Sequence, residues 1–112
     1  MASVGGGNMS RQIPGSQTGV SIETRKIIAE PPLYRVMLHN DDYTSMDFVV
    51  NILVMVFRKP EGEANRIMMN VHKNGVGICG VYPYEVAETK VETVHSLAAE
   101  NGFPLKCTME KE

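Results

Sequence analysis

From Leu33 onward the spacing of apolar residues switches between the period of a strand and that of a helix, and turn-forming residues mark each switch. "LYRVMLHN" (33–40) alternates weakly and is rich in β-formers at its centre, which predicts a strand. Asp41-Asp42 turns the chain. Thr44 then stands where an N-cap is needed, with Asp47 three residues on in a capping-box-like position. Phe48, Val49, Ile52, Leu53, Val56 and Phe57 recur at helical spacing until "RKP" (58–60) breaks the run. Pro60 suits the first turn of a second helix, with Glu61 and Glu63 near the positive end of its dipole. Ala64, Ile67, Met68 and Val71 give that helix its apolar stripe, and Lys73 followed by Asn74-Gly75 is a stop signal.

"VGICGVY" (76–82) predicts a second strand, whose glycines permit a bulge or a close backbone approach. Pro83 opens a third helix with Val86, Ala87, Val91, Val94, Leu97 and Ala98 on its buried stripe. Asn101-Gly102 ends it, and Pro104 prevents its continuation. "LKCTMEK" (105–111) alternates cleanly: Leu105, Cys107 and Met109 face one way, Lys106, Thr108 and Glu110 the other. The order β-α-α-β-α-β implies an α+β fold, a three-stranded sheet with three helices on one face. Before it, residues 1–19 are rich in Gly, Ser, Gln and Asn, and such a stretch cannot bury enough apolar surface to offset its ordering entropy. "VSIETRKIIAE" (20–30) reads as a loose extension or a transient helix, and Pro31-Pro32 punctuates. The expectation is a flexible extension over residues 1–30 and one domain over 31–112.

Composition narrows the class of function. A formal net charge of -2 offers no basic surface for nucleic acid. No apolar run approaches the ~18 residues of a membrane span, and no basic-then-apolar secretory signal opens the chain. The two cysteines, Cys79 and Cys107, are too far apart in an otherwise loop-poor stretch to suggest a disulfide framework. A soluble monomer in the reducing cytoplasm is the expectation.

The candidate chemistry lies in "HNDDYTSM" (39–46). His72 falls four residues after Met68 and eight after Ala64, so it shares their helical edge near the end of the second helix. If that edge faces the turn after the first strand, His72 meets Asn40, Asp41 and Asp42, with Met46 and Met68 close by. Three readings are open on local chemistry. His39, Asp41, Asp42 and His72 are possible metal ligands, but no His-x-x-x-His or Cys-x-x-Cys spacing supports them. Paired carboxylates can act as acid and base, yet adjacent aspartates diverge on a turn, and no nucleophile elbow or P-loop accompanies them. A solvated turn beside a surface histidine needs no ligand at all.

The stretches "NDDYTSMDFVV", "RIMMNVHKNGVGICGVY", "EVAETKVETV" and "PLKCTMEKE" together resemble the ClpS family, the bacterial adaptors of the N-degron pathway. The likeness spans roughly residues 31–112 in order and spacing. It implies a fold similar to the C-terminal domain of the ribosomal stalk protein, and no enzymatic activity, metal or cofactor. It implies binding of proteins that begin with Leu, Phe, Tyr or Trp, and their delivery to the N-domain of the ClpA unfoldase, which feeds the ClpP peptidase. By resemblance, Asn40, Asp41 and His72 form an acceptor cage for the α-amino group. That role has physical sense, because an ammonium carries three N–H donors and no acceptor. Asp42 and Thr44 support the cage, while Met46, Val49, Met68, Val71 and Leu105 line an apolar pocket for the first side chain. Glu85, Glu88 and Lys90 resemble the surface that docks on the unfoldase. Three positions depart from the family: Ser45, where proline is usual and whose change is expected to loosen the start of the first helix; Gly62; and Asn70, placed near the pocket rim. A module that regulates the unfoldase without recognising N-degrons is the alternative.

Overall fold

The computed structural model of the protein describes residues 31–112, so the expected extension over residues 1–30 lies outside the described residues. The elements follow the expected order. They are β1 (Leu33–His39), α1 (Met46–Met55), α2 (Glu61–Asn74), β2 (Val76–Pro83), α3 (Tyr84–Glu100) and β3 (Lys106–Lys111). The sheet is antiparallel with spatial order β2-β1-β3. β1 is central, and its Val36 and Leu38 are fully buried. On the same face Cys79 of β2 and Cys107 of β3 are buried, and the three helices cover that face. Both thiols are free, as their wide separation in the sequence leads one to expect.

Two glycines in β2 have separate uses. The β1–β2 register jumps from Val36↔Gly80 to Met37↔Ile78, leaving Cys79 as a bulge. The Tyr82 ring lies over Gly80, where a Cβ would come within 2.3 Å of the Tyr82 hydroxyl. At Gly77 the neighbour is α2 itself: a Cβ there would sit 2.7 Å from Val71 Cγ2 and 3.4 Å from the Ile67 carbonyl. The missing side chain therefore sets how closely the end of α2 packs on the sheet.

Element boundaries depart from expectation in small, explicable ways. Thr44 is not the N-cap of α1. Ser45 is, with extended backbone and its Oγ accepting the Phe48 N–H at 3.1 Å. The Thr44 hydroxyl is instead turned back toward Asp41, to which it donates. Ser45 thus secures the start of the helix rather than loosening it. Pro60 and Pro83 stand at N-cap positions, one residue before the first turns of α2 and α3. Val86 is 44% exposed, not buried. The buried row of α3 runs through Ala87, Val94 and Ala98, with Val91 and Leu97 half-buried beside it, and Val86 is turned about 100° off that row.

Lys90 of α3 closes the other end of α1. Its ammonium donates to the Val56 carbonyl at 2.8 Å and lies 5.9 Å and 5.3 Å from the Phe57 and Tyr82 ring centroids. A cation at a helix C-terminus is favoured by the dipole as well as by the orphan carbonyl. The Phe48 and Phe103 rings, 4.8 Å apart, join α1 to the segment before β3.

Candidate functional site

β1 ends at the C-terminus of α2, and one backbone bond secures the meeting. The Asn40 N–H donates to the Gly75 carbonyl at 2.9 Å. Gly75 has φ 88°, the left-handed conformation that lets α2 stop there, and its own N–H returns to the Val71 carbonyl at 2.9 Å. His72, one turn earlier, is thereby brought to the turn after β1. The result is a cavity of about 250 Å³ between that turn, the first turn of α1 and the last turns of α2.

Nine of the expected site residues line it. Asn40, Asp41, Asp42 and Thr44 come from the turn, Met46 and Val49 from α1, and Met68, Val71 and His72 from α2. Leu105 does not. It is 4% exposed and belongs to the core, where the alternation with Cys107 draws it inward from the segment before β3. Asn70 is not at the rim of this cavity either. One position away from the Met68–His72 edge, it faces a separate groove with Arg66, Asn74 and Ile78.

The two aspartates have different settings. Asp41 turns back on its own loop: Oδ1 accepts the Tyr43 and Thr44 N–H groups at 2.8 and 2.7 Å, and Oδ2 accepts the Thr44 hydroxyl at 2.7 Å. Partial desolvation pushes this carboxyl up, but the Thr44 hydroxyl and the two N–H groups outweigh it and hold it below the ordinary carboxylate value. A carboxylate has about four lone-pair positions. With three occupied, Asp41 keeps roughly one acceptor position for a further donor. Asp42 is exposed. Among the described residues neither the Asn40 amide nor the His72 imidazole has a side-chain hydrogen-bond partner.

The arrangement is one-sided chemically. An amide, a charged carboxylate and an imidazole supply its polar lining; two thioethers and two valines supply its apolar lining. Val49 and Val71 are 6% and 2% exposed, whereas Met46 is 44% exposed and forms part of the mouth. Such a site can take a cationic donor group attached to an apolar one. His39 does not join it, because its Nε2 is 2.7 Å from Thr108 Oγ1 across the sheet. Among the described residues no three His, Cys, Asp or Glu side chains come together as metal ligands, and no helix is long and apolar enough to cross a membrane.

The second expected surface lies on the first turns of α3. Glu85 and Glu88 are exposed, and the Tyr84 hydroxyl reaches Glu88 at 3.4 Å. Lys90 is committed to Val56 and the two rings, so its ammonium is partly withdrawn from this surface. Val86 and Thr89 complete a shallow hollow with Glu85 and Lys90, and Val86 was not expected there. A β-branched residue in the first turn of an amphipathic helix gives no sign of which side of the stripe it will take.

Residues 29–108 match the family model described as ATP-dependent Clp protease adaptor protein ClpS. The ATP-dependent Clp protease adapter protein ClpS of Desulforapulum autotrophicum is 59% identical over 104 residues, covering 93% of this chain and 100% of that protein. Its counterpart in Desulfatibacillum aliphaticivorans is 63% identical over 82 residues, 73% of this chain and 79% of that one. The solved structure of Agrobacterium tumefaciens ClpS2 bound to L-phenylalaninamide superposes with a TM-score of 0.72 at 44% identity, covering 74% of this chain and 100% of that one. The match spans the cavity and every described element up to β3, and so the chain belongs to the ClpS family, adaptors of ATP-dependent Clp proteases rather than enzymes.

Proposed function

We propose that this adaptor captures proteins whose first residue is Leu, Phe, Tyr or Trp and delivers them to a ClpA-type unfoldase for degradation by ClpAP. The observation that carries the reading is the joining, in one cavity, of an acceptor rim (Asn40, Asp41, His72) to an apolar wall (Met46, Val49, Met68, Val71). A free N-terminus is largely an ammonium near neutral pH and needs acceptors on several sides. An acetylated or internal amide offers one donor and no charge, so the same rim discriminates against it. The first side chain adds roughly 1.5–3 kcal/mol when fully buried. Methionine suits a wall that must accept both branched and aromatic groups, because thioethers are pliable and contact rings well. The ligand in the Agrobacterium relative, L-phenylalaninamide, has this form: a free α-amino group on an aromatic residue.

In this reading Asp42 and Thr44 support the rim, and Asp41 acts as much by ordering the Asn40–Thr44 turn as by contact. Glu85 and Glu88, with Lys90 at their edge, form the surface for the unfoldase N-domain. Residues 1–30 are needed for delivery and not for capture, on a monomeric cytoplasmic domain of residues 31–112. The test is fluorescence anisotropy with Leu- and Phe-initiated peptides, each with a free or an acetylated N-terminus. Free peptides bind and acetylated ones lose at least tenfold in affinity. Equal binding of both refutes the cage. No binding of either, with degradation by ClpAP still altered, favours a regulator of the unfoldase.

A further inference from the structure

Sulfur occurs in this domain in two opposite settings. Cys79 and Cys107 are 1% and 2% exposed. Burial pushes both thiols up, Cys107 to about 12, and Cys79 further still with Cys107 nearby. The thiolate is the form that reacts with peroxides, so both cysteines are withheld from oxidation. Met46, Met55 and Met69 are 44%, 66% and 37% exposed as residues. A thioether needs no deprotonation to be oxidised, so exposure leaves it open to attack. Among the described residues, Met46 alone of these three lines the cavity, where half-buried Met68 joins it.

We propose that Met46 is a modification site: its oxidation to the sulfoxide switches off recognition of apolar N-terminal residues in the cavity, and reduction restores it. This rests on the reading of the cavity given above. The oxidant is a peroxide. The Met46 sulfur attacks one peroxide oxygen, the O–O bond breaks and an S–O bond forms. Sulfur is oxidised by two electrons, and hydrogen peroxide is reduced to water. A methionine sulfoxide reductase reverses the step with two thiols, which become a disulfide as water leaves.

The consequence follows from what surrounds the new oxygen. A sulfoxide oxygen is a strong acceptor. Val49, Val71 and the Met68 thioether offer it no donor, Asp41 is itself an acceptor, and the Thr44 hydroxyl already donates to Asp41, so the uncommitted lining donors are the Asn40 amide and the His72 imidazole of the rim. The modified side chain must take one of those rim groups from the incoming N-terminus, leave its oxygen unsatisfied against the ligand, or swing it into water and abandon the apolar wall. Each route removes contact with the bound N-terminal residue. Oxidation of Met55 or Met69, away from the cavity, carries no such cost.

The test exposes the full chain to graded hydrogen peroxide. Peptide mass spectrometry maps each methionine, anisotropy follows a Leu-initiated peptide, and circular dichroism follows the fold. We expect affinity to fall by about tenfold or more in step with Met46 sulfoxide, with the dichroism unchanged. Methionine sulfoxide reductases A and B with dithiothreitol restore it. A chain carrying Met55→Leu and Met69→Leu loses binding on oxidation as the parent does. Met46→Leu keeps its own starting affinity at doses that leave Met68 reduced. Full binding with Met46 converted, Met46 staying reduced while Met55 is converted, or a loss that follows unfolding each overturns the proposal. An unoxidised chain that ignores the peptide overturns the reading of the cavity and the switch with it. Equal binding before and after conversion overturns the switch alone.

Discussion

A single methyl group at Gly77 tests how the sheet positions the cavity. In Gly77→Ala the new Cβ would lie 2.7 Å from Val71 Cγ2 and 3.4 Å from the Ile67 carbonyl. Two aliphatic carbons prefer about 3.5–4.0 Å, so one partner must retreat by roughly 1 Å. Val71 cannot retreat cheaply, because it is 2% exposed and is both a core residue and a cavity wall. The strain is therefore relieved by lifting the last turns of α2, which carry Met68, Val71 and His72. Overpacking of this kind costs about 1–3 kcal/mol. For a domain of this size each kcal/mol lowers Tm by roughly 4–8 °C. Lifting His72 away from the turn after β1 also opens the rim, so peptide affinity falls by about tenfold. The assay is a thermal melt by circular dichroism beside anisotropy with a Leu-initiated peptide. Adding Val71→Ala to Gly77→Ala removes the clashing methyl and should recover part of the lost Tm, giving a coupling energy of opposite sign to the single losses. If Gly77→Ala keeps the parent Tm and affinity, the close approach of α2 to β2 does not position the site, and the reasoning fails.

Three further outcomes follow from the site. His72→Ala removes an exposed side chain with no side-chain hydrogen-bond partner among the described residues, so Tm should hold while affinity for a free N-terminus drops about ten- to a hundredfold, as expected when a charge-assisted bond is lost; unchanged affinity excludes it from the rim. Asp41 has a depressed folded value, so its contribution to the Asn40–Thr44 turn is present above the ordinary carboxylate value of about 3.9 and lost as pH falls through the lower folded one; an NMR titration of the Tyr43 and Thr44 amides with a midpoint at or above 3.9 would contradict this. Lys90→Met keeps an unbranched side chain but deletes the donor to the Val56 carbonyl, costing about 1–2 kcal/mol in a thermal melt; an unchanged Tm would return Lys90 to the partner surface as a free cation.

Periodicity alone determined the order and type of every described element, because burial against one core imposes a period of 3.6 or 2 on any segment long enough to display it. The stop of α2 was legible for a similarly local reason: Asn74-Gly75 supplies the left-handed residue that ends a helix. The site residues of "NDDYTSM", Val49 and the α2 edge were legible through family likeness, and nine of them line one cavity. What the sequence could not decide was competition between neighbours for the same role. Thr44 and Ser45 are both capping residues, and the folded structure turns Thr44 to the Asp41 carboxylate while Ser45 accepts the Phe48 N–H. Val86 and Leu105 are equally apolar, yet one is exposed and the other leaves the cavity for the core, because helix rotation and strand alternation are set by contacts distant in sequence. Lys90 likewise looks like any solvated lysine until α1 ends beneath it. The cavity itself arises because Gly77 admits α2 against the sheet and Asn40 bonds to Gly75, contacts that bring residues 40 and 72 together though nothing local to either specifies it.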